Sequence, residues 1–542
     1  MNIASRTWLS RILATIPALL IAVLVIVPFA EMLSRFLDFS SIGALGGSSP
    51  IALLTRRAIE NSLVQGMLSA ATSFAVGLPL GFFLGRYEFR FKRLLRSFAI
   101  LPIFLPSIVV VTAFISSFGP GSPTHAIYSG STIFSTGLSG IVAVNTFFNA
   151  PLVAMMTMLS VERSNRTLDE AAMTLGASGM RRFISVWGRD GIIAGAGGSL
   201  LAFLYSFAGF TAPLIIGGPG YFTLEAWIYF MVRTLNNIPL AAVMSLVEAG
   251  ALLLPAVFYF AFIGGTKRVY GTGRPPAEEN RKHSPFFISG ALYVAAWTGL
   301  ECYILGSVFY SSLRLGQSSP GFGNFVLLFS TRTTVALGLP TSAVLLNTMF
   351  YGIMTSLLVT LIGLVWIYGK RRAASRALIV TDTVQFIPLV ISAVIFSLSL
   401  AVTFEYTTSF AFDWILIIIA QSVLAIPIVL RVMEAGFSAI PPSYTEAALT
   451  LRGNPFFEVE VPIARSTLAS ALMFGFAMSL GEFTATNFLA TTSYIPLGVQ
   501  IYQLQVLRIF GAAEAAAAIL LLMSLASFYV VQRAGEVFVA VR

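Results

Sequence analysis

Two short polar segments of this chain repeat each other almost residue for residue. The first reads Glu-Ala-Ala-Met-Thr-Leu-Gly over 170–176, and the second reads Glu-Ala-Ala-Leu-Thr-Leu-Arg-Gly over 446–453. Each begins with a carboxylate, which can accept hydrogen bonds from the free N–H groups at the start of a helix. Good helix formers follow, and a glycine comes after about two turns. Each segment therefore predicts a short surface helix.

The residues before each glutamate extend this prediction. Thr167 stands three residues before Glu170, and Ser443 stands three residues before Glu446, which is the spacing of a capping box. The pattern predicts that each glutamate lies at the start of its helix. The small alanines that follow leave one helix face open to close approach by another surface.

Composition indicates where these helices lie. The 542 residues are 57% hydrophobic and only 10% charged, against about 25% charged residues in an average soluble domain. Apolar runs long enough to cross a bilayer recur along the whole chain, which predicts an all-α integral membrane protein with about 12 transmembrane helices. The predicted spans are 12–33, 62–85, 97–118, 138–159, 191–216, 239–263, 286–310, 346–368, 379–403, 413–434, 466–490 and 513–532.

Basic residues indicate the orientation. They are concentrated in the predicted inner loops, whereas the outer loops 119–137 and 404–412 contain no lysine or arginine. By the positive-inside rule, both termini and both glutamate segments are cytoplasmic. Most of the positive residues behind the net charge of +10 are then explained by membrane orientation. They form no single basic face, which argues against a nucleic-acid partner.

The chain is also predicted to be an internal duplication. Asn61-Ser62 recurs as Asn347-Thr348 at an offset of 286, and Glu170 recurs as Glu446 at an offset of 276. Such stepwise shifts are typical of diverged copies with insertions in loops. The predicted organisation is two parallel six-helix halves, 1–264 and 286–542, joined by a cytoplasmic linker at 265–285.

The sequence argues against an enzyme. Cys302 is the sole cysteine, and the two histidines, His125 and His283, fall in loops on predicted opposite sides. No catalytic triad or metal cluster is evident, and the sequence has no Gly-x-x-x-x-Gly-Lys-Ser/Thr nucleotide loop. We expect no cofactor and no metal site, and any ATP must be hydrolysed by another polypeptide.

The paired Glu-Ala-Ala segments resemble the signature of permease subunits of type I binding-protein-dependent ABC importers. The two-copy form is similar to the ferric-iron and thiamine permease group, as are Phe147-Phe148-Asn149-Ala150-Pro151, Gly217-Gly218-Pro219 and Ser479-Leu480-Gly481-Glu482-Phe483. The resemblance implies a subunit of the cell (inner) membrane. Its partners would be two copies of an ATP-binding subunit and an extracytoplasmic solute-binding protein.

In that family the loop forms a coupling helix that docks on the ATP-binding subunit. The matching residues here are Glu170, Ala171, Ala172 and Gly176 in the first copy, and Glu446, Ala447, Ala448 and Gly453 in the second. The second copy has Arg452 where the glycine is expected. The loop ends also depart from the family's Leu-Pro, with Gly188-Arg189 in the first copy and Val461-Pro462 in the second. These departures predict that the two loops dock unequally.

Polar residues within the predicted spans are candidates for a substrate pathway. Ionisable groups are costly there unless they face a cavity or a partner, and the candidates are Glu248, Glu301, Asp382 and Glu482. Glu482 stands where the first copy has Gly209, so one carboxylate could favour a cationic solute such as thiamine or ferric iron. Its alternative role is structural, as a carboxylate hydrogen-bonded to Thr484 or a neighbouring helix. Asn149 and Gln421 are further pathway candidates, although such amides more often join helices.

Other functions stay open at this point. Polyamine or phosphonate would suit the same permease architecture. An ion-coupled secondary transporter would also be duplicated and polytopic, but it would need no cytoplasmic coupling helices.

Overall fold

The computed structural model describes the chain from residue 3 to residue 540, apart from 39–46, 121, 123, 125–131, 163, 165, 219, 267–284, 316–318, 373–384, 386 and 406–412. Most of the predicted linker, Asp382 and both histidines therefore lie outside the described residues.

Apart from turns and connecting loops, the described residues form helices and one short antiparallel strand pair. The helices are α1 (Ile3–Ile21), α2 (Val27–Phe36), α3 (Pro50–Arg86), α4 (Lys92–Ile100), α5 (Ser107–Phe118), α6 (Gly137–Glu162), α7 (Arg166–Thr174), α8 (Gly179–Arg182), α9 (Gly188–Phe207), α10 (Leu224–Arg233), α11 (Ile238–Thr266), α12 (Pro285–Ser312), α13 (Gly323–Leu328), α14 (Thr331–Leu337), α15 (Thr341–Lys370), α16 (Ile387–Val390), α17 (Ala393–Glu405), α18 (Asp413–Ser438), α19 (Pro442–Thr450), α20 (Val461–Ile463), α21 (Arg465–Gly481), α22 (Thr484–Leu489), α23 (Leu497–Val506) and α24 (Phe510–Ala540). The strands are β1 (Arg314–Leu315) and β2 (Ser319–Pro320). Short π-helical turns cover Ala22–Ile26, Phe183–Trp187, Pro213–Gly217 and Pro455–Glu460, and 3-10 turns cover Leu101–Phe104 and Thr492–Tyr494.

The chain forms two compact units whose segments alternate along the sequence. The first-repeat unit contains Asp38–Leu105 and Val110–Ser311, and the second-repeat unit contains Met1–Leu37, Pro106–Val109 and Ser312–Arg542. Each unit thus includes a helix from the other sequence half: α12 belongs to the first-repeat unit, and α1 with α2 belongs to the second. The predicted halves, 1–264 and 286–542, follow the order of the repeats along the sequence. The two compact units are divided differently.

Close backbone packing joins α3 to α6 in the first-repeat unit. Gly77, Gly81 and Gly85 follow each other at four-residue spacing on α3, facing α6. A Cβ atom on Gly81 would lie 2.5 Å from the carbonyl oxygen of Ala154. Small residues at this spacing let membrane helices approach closely. Helix α12 packs on the same unit, where the Tyr293 hydroxyl donates to a backbone carbonyl of α3 at 2.8 Å.

The second-repeat unit is built in the same way around α15, α18 and α21. Its core includes Trp366, Tyr351, Val429 and Phe437, each at most 1% exposed. Helix α1 contacts α15 at Gly369, where an added Cβ atom would lie 2.6 Å from the backbone oxygen of Ser10 and 2.3 Å from the backbone nitrogen of Ala14.

Matching hydrogen bonds in the two units follow the sequence repeat. The Asn61 side-chain amide donates to the carbonyl of Phe222 at 3.2 Å, and the Asn347 amide donates to that of Ile495 at 3.2 Å. The next residues accept equivalent bonds: Ser62 from the Leu224 N–H at 2.7 Å, and Thr348 from the Leu497 N–H at 2.8 Å. The hydrogen bonds of the two units therefore follow the register that the sequence repeat predicts.

Within the described residues, nine helices are long and apolar enough to cross a membrane, or up to eleven if each bent pair forms one span. The prediction of an all-α membrane protein is confirmed, but four of the twelve predicted spans are not continuous helices. The fifth is interrupted after Phe207 and the eleventh after Gly481. The third is bent by 105° between Phe104 and Ser107. In the ninth, only the short helices α16 and α17 are described. Pro102 and Pro388 lie just before these breaks, 286 residues apart, and proline interrupts a helix because it lacks an N–H.

Candidate functional site

The two Glu-Ala-Ala segments form short helices, as predicted. We call α7 (Arg166–Thr174) the first loop helix and α19 (Pro442–Thr450) the second loop helix. Glu170 and Glu446 are each the fifth residue of their helix and are exposed. The expected capping boxes are wrong, because both helices begin before Thr167 and Ser443. Pro441 is the N-cap of the second loop helix, with no side-chain cap hydrogen bond. Proline at the N-cap and the first helical position fixes the backbone instead.

Both loop helices end in the same Schellman motif. In the first, the Ala177 N–H donates to the Ala172 carbonyl at 2.9 Å, and in the second the Gly453 N–H donates to the Ala448 carbonyl at 2.9 Å. This motif places one residue in the left-handed conformation. That residue is Gly176, with φ 76°, in the first copy and Arg452, with φ 58°, in the second. The expectation that Gly453 ends the second helix is thus corrected: Gly453 is the following residue, and its φ is not positive.

Apolar side chains project from both loop helices at matching positions. Leu175 is 87% exposed, and its counterpart Leu451 is 83% exposed. The other matched pairs are Leu168 with Tyr444 and Met173 with Leu449, all of which are exposed. Ala171 and Ala447 are also exposed, whereas Ala448 is buried. Such apolar surface on a polar loop is typical of a docking site for another protein.

Charged side chains hold the first loop helix in place. The two Asp169 carboxylate oxygens accept hydrogen bonds from Arg182 Nε at 2.9 Å, Arg182 Nη2 at 3.1 Å and Arg86 Nη2 at 3.0 Å. We call these three residues the Asp169 clamp. Burial by itself raises the pKa of Asp169, but the hydrogen bonds and positive charges of Arg182 and Arg86 outweigh it and lower the pKa below its ordinary value. The clamp therefore keeps Asp169 ionised.

A different arrangement holds the second loop helix. Thr445, which corresponds to Asp169, donates a hydrogen bond to Glu460 Oε1 at 3.3 Å. The same oxygen lies 3.1 Å from Arg371 Nε. We call Thr445, Glu460 and Arg371 the Glu460 relay. The sequence analysis missed both groups, because it treated the basic residues of inner loops only as topological charges. Arg86 and Arg371 are also remote in sequence from Asp169 and Glu460.

The predicted pathway residues lie in buried polar networks. In the first-repeat unit, the Asn149 amide donates to the Ser206 hydroxyl at 3.1 Å. In the second-repeat unit, the Gln421 amide donates to Thr486 Oγ1 at 3.1 Å, and Thr486 Oγ1 donates to Glu482 Oε2 at 2.8 Å. The structure thus brings Gln421 and Glu482 together.

The carboxylate of Glu482 caps a helix. Its two oxygens accept hydrogen bonds from the Ala485 and Thr486 N–H groups, both at 2.9 Å, at the start of α22. The structural alternative expected for Glu482 is therefore present, with Thr486 as the hydroxyl partner and not Thr484. Glu248 and Glu301, the other candidates that are described, are completely buried, as is Glu225, which the sequence analysis did not select.

An apolar cavity of about 1130 Å³ lies in the first-repeat unit among α3, α5, α6 and α12. Its wall includes Phe114, Phe147, Trp297 and the hydroxyls of Thr72 and Thr146, which are 2.6 Å apart. Asn149 is not among its lining residues. Among the described residues, no group of three or more His, Cys, Asp or Glu side chains is placed to hold a metal ion.

Comparison with known proteins gives one matching family and a set of relatives. Residues 77–272 and 352–535 each match the family described as binding-protein-dependent transport system inner membrane component. The ferric transport system permease protein of Actinobacillus pleuropneumoniae is 26% identical over 462 residues, covering 80% of this chain and 65% of that protein. The thiamine transport system permease protein of Haemophilus influenzae is 24% identical over 485 residues, covering 86% and 87%. The molybdate/tungstate transport system permease protein of Pyrococcus furiosus is 26% identical over 255 residues, covering 47% and 94%.

The chain thus spans slightly less than two thirds of the length of the ferric permease relative. The two family matches include both loop helices, one in each match. This chain belongs to the family of inner membrane components of binding-protein-dependent transport systems, which it contains in two fused copies.

Proposed function

We propose that this protein is the membrane subunit of an ATP-driven importer and that its two loop helices receive the movement of two ATP-binding subunits. The carrying observation is the matched geometry of these helices. Both end in a Schellman motif and expose apolar side chains at the same three positions. One ATP-binding subunit would bind each loop helix. Leu175 or Leu451 would enter an apolar groove, and Glu170 or Glu446 would lie at its polar rim.

A stiff helix suits this role. Movement is transmitted only if the contacted element moves as a body. Each Schellman motif contributes to this by satisfying two of the carbonyls at the end of its loop helix. We propose that both loop helices and both chain termini lie in the cytoplasm, as the distribution of basic loops predicts. Closure of the ATP-binding subunits would then favour one of two membrane conformations that expose the pathway to opposite sides.

The proposed substrate is a small cationic solute, ferric iron or thiamine. The two relatives named for these substrates each align over at least 80% of this chain. The molybdate/tungstate relative aligns over only 47% of it. Delivery by an extracytoplasmic solute-binding protein is part of the proposal, since the family is binding-protein-dependent. Glu482, Gln421 and Asn149 stay predictions as pathway residues, because their described hydrogen bonds are also explained by helix packing.

Transport in cells tests the proposal. We would measure uptake of labelled ferric iron and of labelled thiamine with wild type and with Glu170→Ala combined with Glu446→Ala. The double variant should lose uptake of one solute at unchanged protein level. Glu88→Ala is the matched control, because Glu88 is an exposed glutamate whose partner Lys92 also lies near Glu162. Unchanged uptake of a solute that the wild type imports would contradict the coupling role, and uptake that persists without ATP would favour the ion-coupled alternative.

The single variants test whether the loops are equivalent. The departures at Arg452, Gly188-Arg189 and Val461-Pro462 predict unequal losses of stimulated ATP hydrolysis for Glu170→Ala and Glu446→Ala. Equal losses would count against that asymmetry.

A further inference from the structure

The structure also shows how each loop helix is joined to the membrane helices, and the two joints differ. In the first-repeat unit the joint is the Asp169 clamp. Arg86 is the last residue of α3, a helix of 37 residues, which at 1.5 Å per residue is about 55 Å long. Asp169 lies on the loop helix itself, and its side chain is only 9% exposed. The clamp therefore connects the end of a membrane helix directly to the loop helix.

The clamp joins the two elements through three charge-assisted hydrogen bonds. Both Asp169 oxygens are engaged, and Arg182 forms the two-pronged contact that suits a carboxylate. The Arg86 guanidinium also lies over the Trp187 ring, 4.8 Å from its centre. Removing one member would leave buried charge uncompensated, which is far more costly than breaking a surface ion pair.

In the second joint, the acidic residue does not belong to the loop helix. Arg371 directly follows α15, the counterpart of α3, but the acid is Glu460, on the π-helical turn after the loop helix. Only Thr445 belongs to the loop helix, and it offers one hydroxyl at 3.3 Å. Glu460 is 1% exposed, and its Oε2 has no hydrogen-bond partner among the described residues. The relay therefore connects the second loop helix indirectly and weakly.

We infer that Asp169, Arg86 and Arg182 are positioning residues that make the first loop helix move as one body with α3, whereas the Glu460 relay leaves the second loop helix more compliant. The transport consequence rests on the proposed function: the first loop would carry most of the mechanical coupling. The difference in local stability does not depend on that function.

Amide hydrogen exchange of the purified full-length protein in lipid nanodiscs tests the difference in stability. In the wild type, 166–176 should exchange at least about tenfold more slowly than 442–452. Asp169→Asn, which keeps the side-chain shape, should accelerate exchange in 166–176 by at least about tenfold. Thr445→Val, which removes only the hydroxyl, should accelerate exchange in 442–452 by less than about threefold. Equal wild-type protection, or equal effects of the two variants, would overturn the inference.

A transplant provides the reverse test. Thr445→Asp combined with Glu460→Ala places the acid on the second loop helix, within reach of Arg371, as in the clamp. Exchange in 442–452 should then become slower than in the wild type. Faster exchange would contradict the idea that the position of the acid sets the stiffness. If Asp169→Asn fails to fold, the wild-type comparison and this variant still decide the question.

The coupling consequence is measured separately in proteoliposomes that contain the ATP-binding subunits and the solute-binding protein. The measured quantity is solute transported per ATP hydrolysed, with ferric iron and then thiamine as the probe. Asp169→Asn should lower this ratio at least about threefold, whereas Thr445→Val should leave it within about twofold. A purely structural role would lower the amount of assembled complex without changing the ratio. If the wild type transports neither probe, the proposed function fails, and the exchange experiment alone decides the inference.

Discussion

Arg452 has the left-handed backbone conformation that Gly176 has in the other copy, with φ values of 58° and 76°. A side chain makes this conformation costly by roughly 1–2 kcal/mol, whereas glycine adopts it freely. Both residues nevertheless end their helices with the same pair of backbone hydrogen bonds. The second loop thus retains the motif of the first in spite of a local strain.

Replacing Arg452 by glycine should therefore stabilise the second loop by about 1 kcal/mol. Amide exchange over 442–453 should slow about fivefold at 25 °C as a result. Gly176→Ala is the mirror experiment and should accelerate exchange over 166–177. Faster exchange in Arg452→Gly would show that the arginine side chain makes contacts that outweigh the strain.

Close packing of α3 on α6 predicts strong sensitivity to a single methyl group. Gly81→Ala would place a Cβ atom 2.5 Å from the Ala154 carbonyl oxygen and 2.6 Å from the Thr157 Cβ atom. Overpacking of this kind costs about 1–3 kcal/mol, so the thermal unfolding midpoint in detergent should fall. Gly250→Ala in α11 is the control, because nothing lies within 4 Å of its Cβ position. It should leave the midpoint unchanged or raise it slightly.

The lowered pKa of Asp169 predicts acid sensitivity of the first loop helix. Since the folded protein holds the proton less tightly than the unfolded chain, the clamp stabilises the loop above the ordinary aspartate pKa of about 3.9. This stability is lost as the pH falls from that value through the lowered pKa. Exchange over 166–176, corrected for the intrinsic pH effect, should accelerate below about pH 4. Asp169→Asn should abolish this dependence, and an unchanged profile in the variant would assign it to another group.

The exposed leucines should determine the affinity for the ATP-binding subunit. Leu175→Ser or Leu451→Ser removes apolar contact area without disturbing the core, because both side chains are more than four-fifths exposed. Each variant should weaken complex formation about tenfold in a pull-down titration. Leu507→Ser, a half-exposed leucine far along the chain, should have no effect. Normal binding by both loop variants would contradict the proposed docking face.

Removing the charge of Glu482 separates its capping role from a pathway role. The side-chain oxygen of Gln can accept from one of the two backbone N–H groups that now bind the carboxylate, so Glu482→Gln should cost about 1 kcal/mol of stability. If Glu482 only caps α22, transport per assembled complex should be unchanged. A selective loss of transport at normal stability would instead support the predicted pathway role.

Features encoded locally or by repetition could be predicted from the sequence. The long apolar runs predicted most membrane helices, and the recurrence of Asn61 at Asn347 predicted a register that the hydrogen bonds follow. The predicted start of the second loop helix was wrong because Pro441 and Pro442 at the helix start prevailed over the Ser443 capping pattern. Hydropathy also concealed the bend after Pro102, since both sides of the break are apolar.

Long-range features could not be predicted in this way. Arg86 and Asp169 are 83 residues apart, and no local pattern distinguishes a buried arginine from a topological one. The left-handed conformation of Arg452 was not predicted either. Gly453 is better suited than Arg452 to the left-handed conformation. However, the two loop helices have the same length, which places the left-handed residue at Arg452.

The alternation of chain segments between the two units has a consequence for biosynthesis. During translation, α1 and α2 enter the membrane before any other part of the second-repeat unit has been made. They remain in the membrane without this packing partner until about 300 further residues have been synthesised and α15 can pack against α1. The first-repeat unit, in turn, is completed only when α12 emerges from the ribosome. A chain stopped between the two repeats would therefore expose unfilled helix surfaces, which a quality-control protease could recognise.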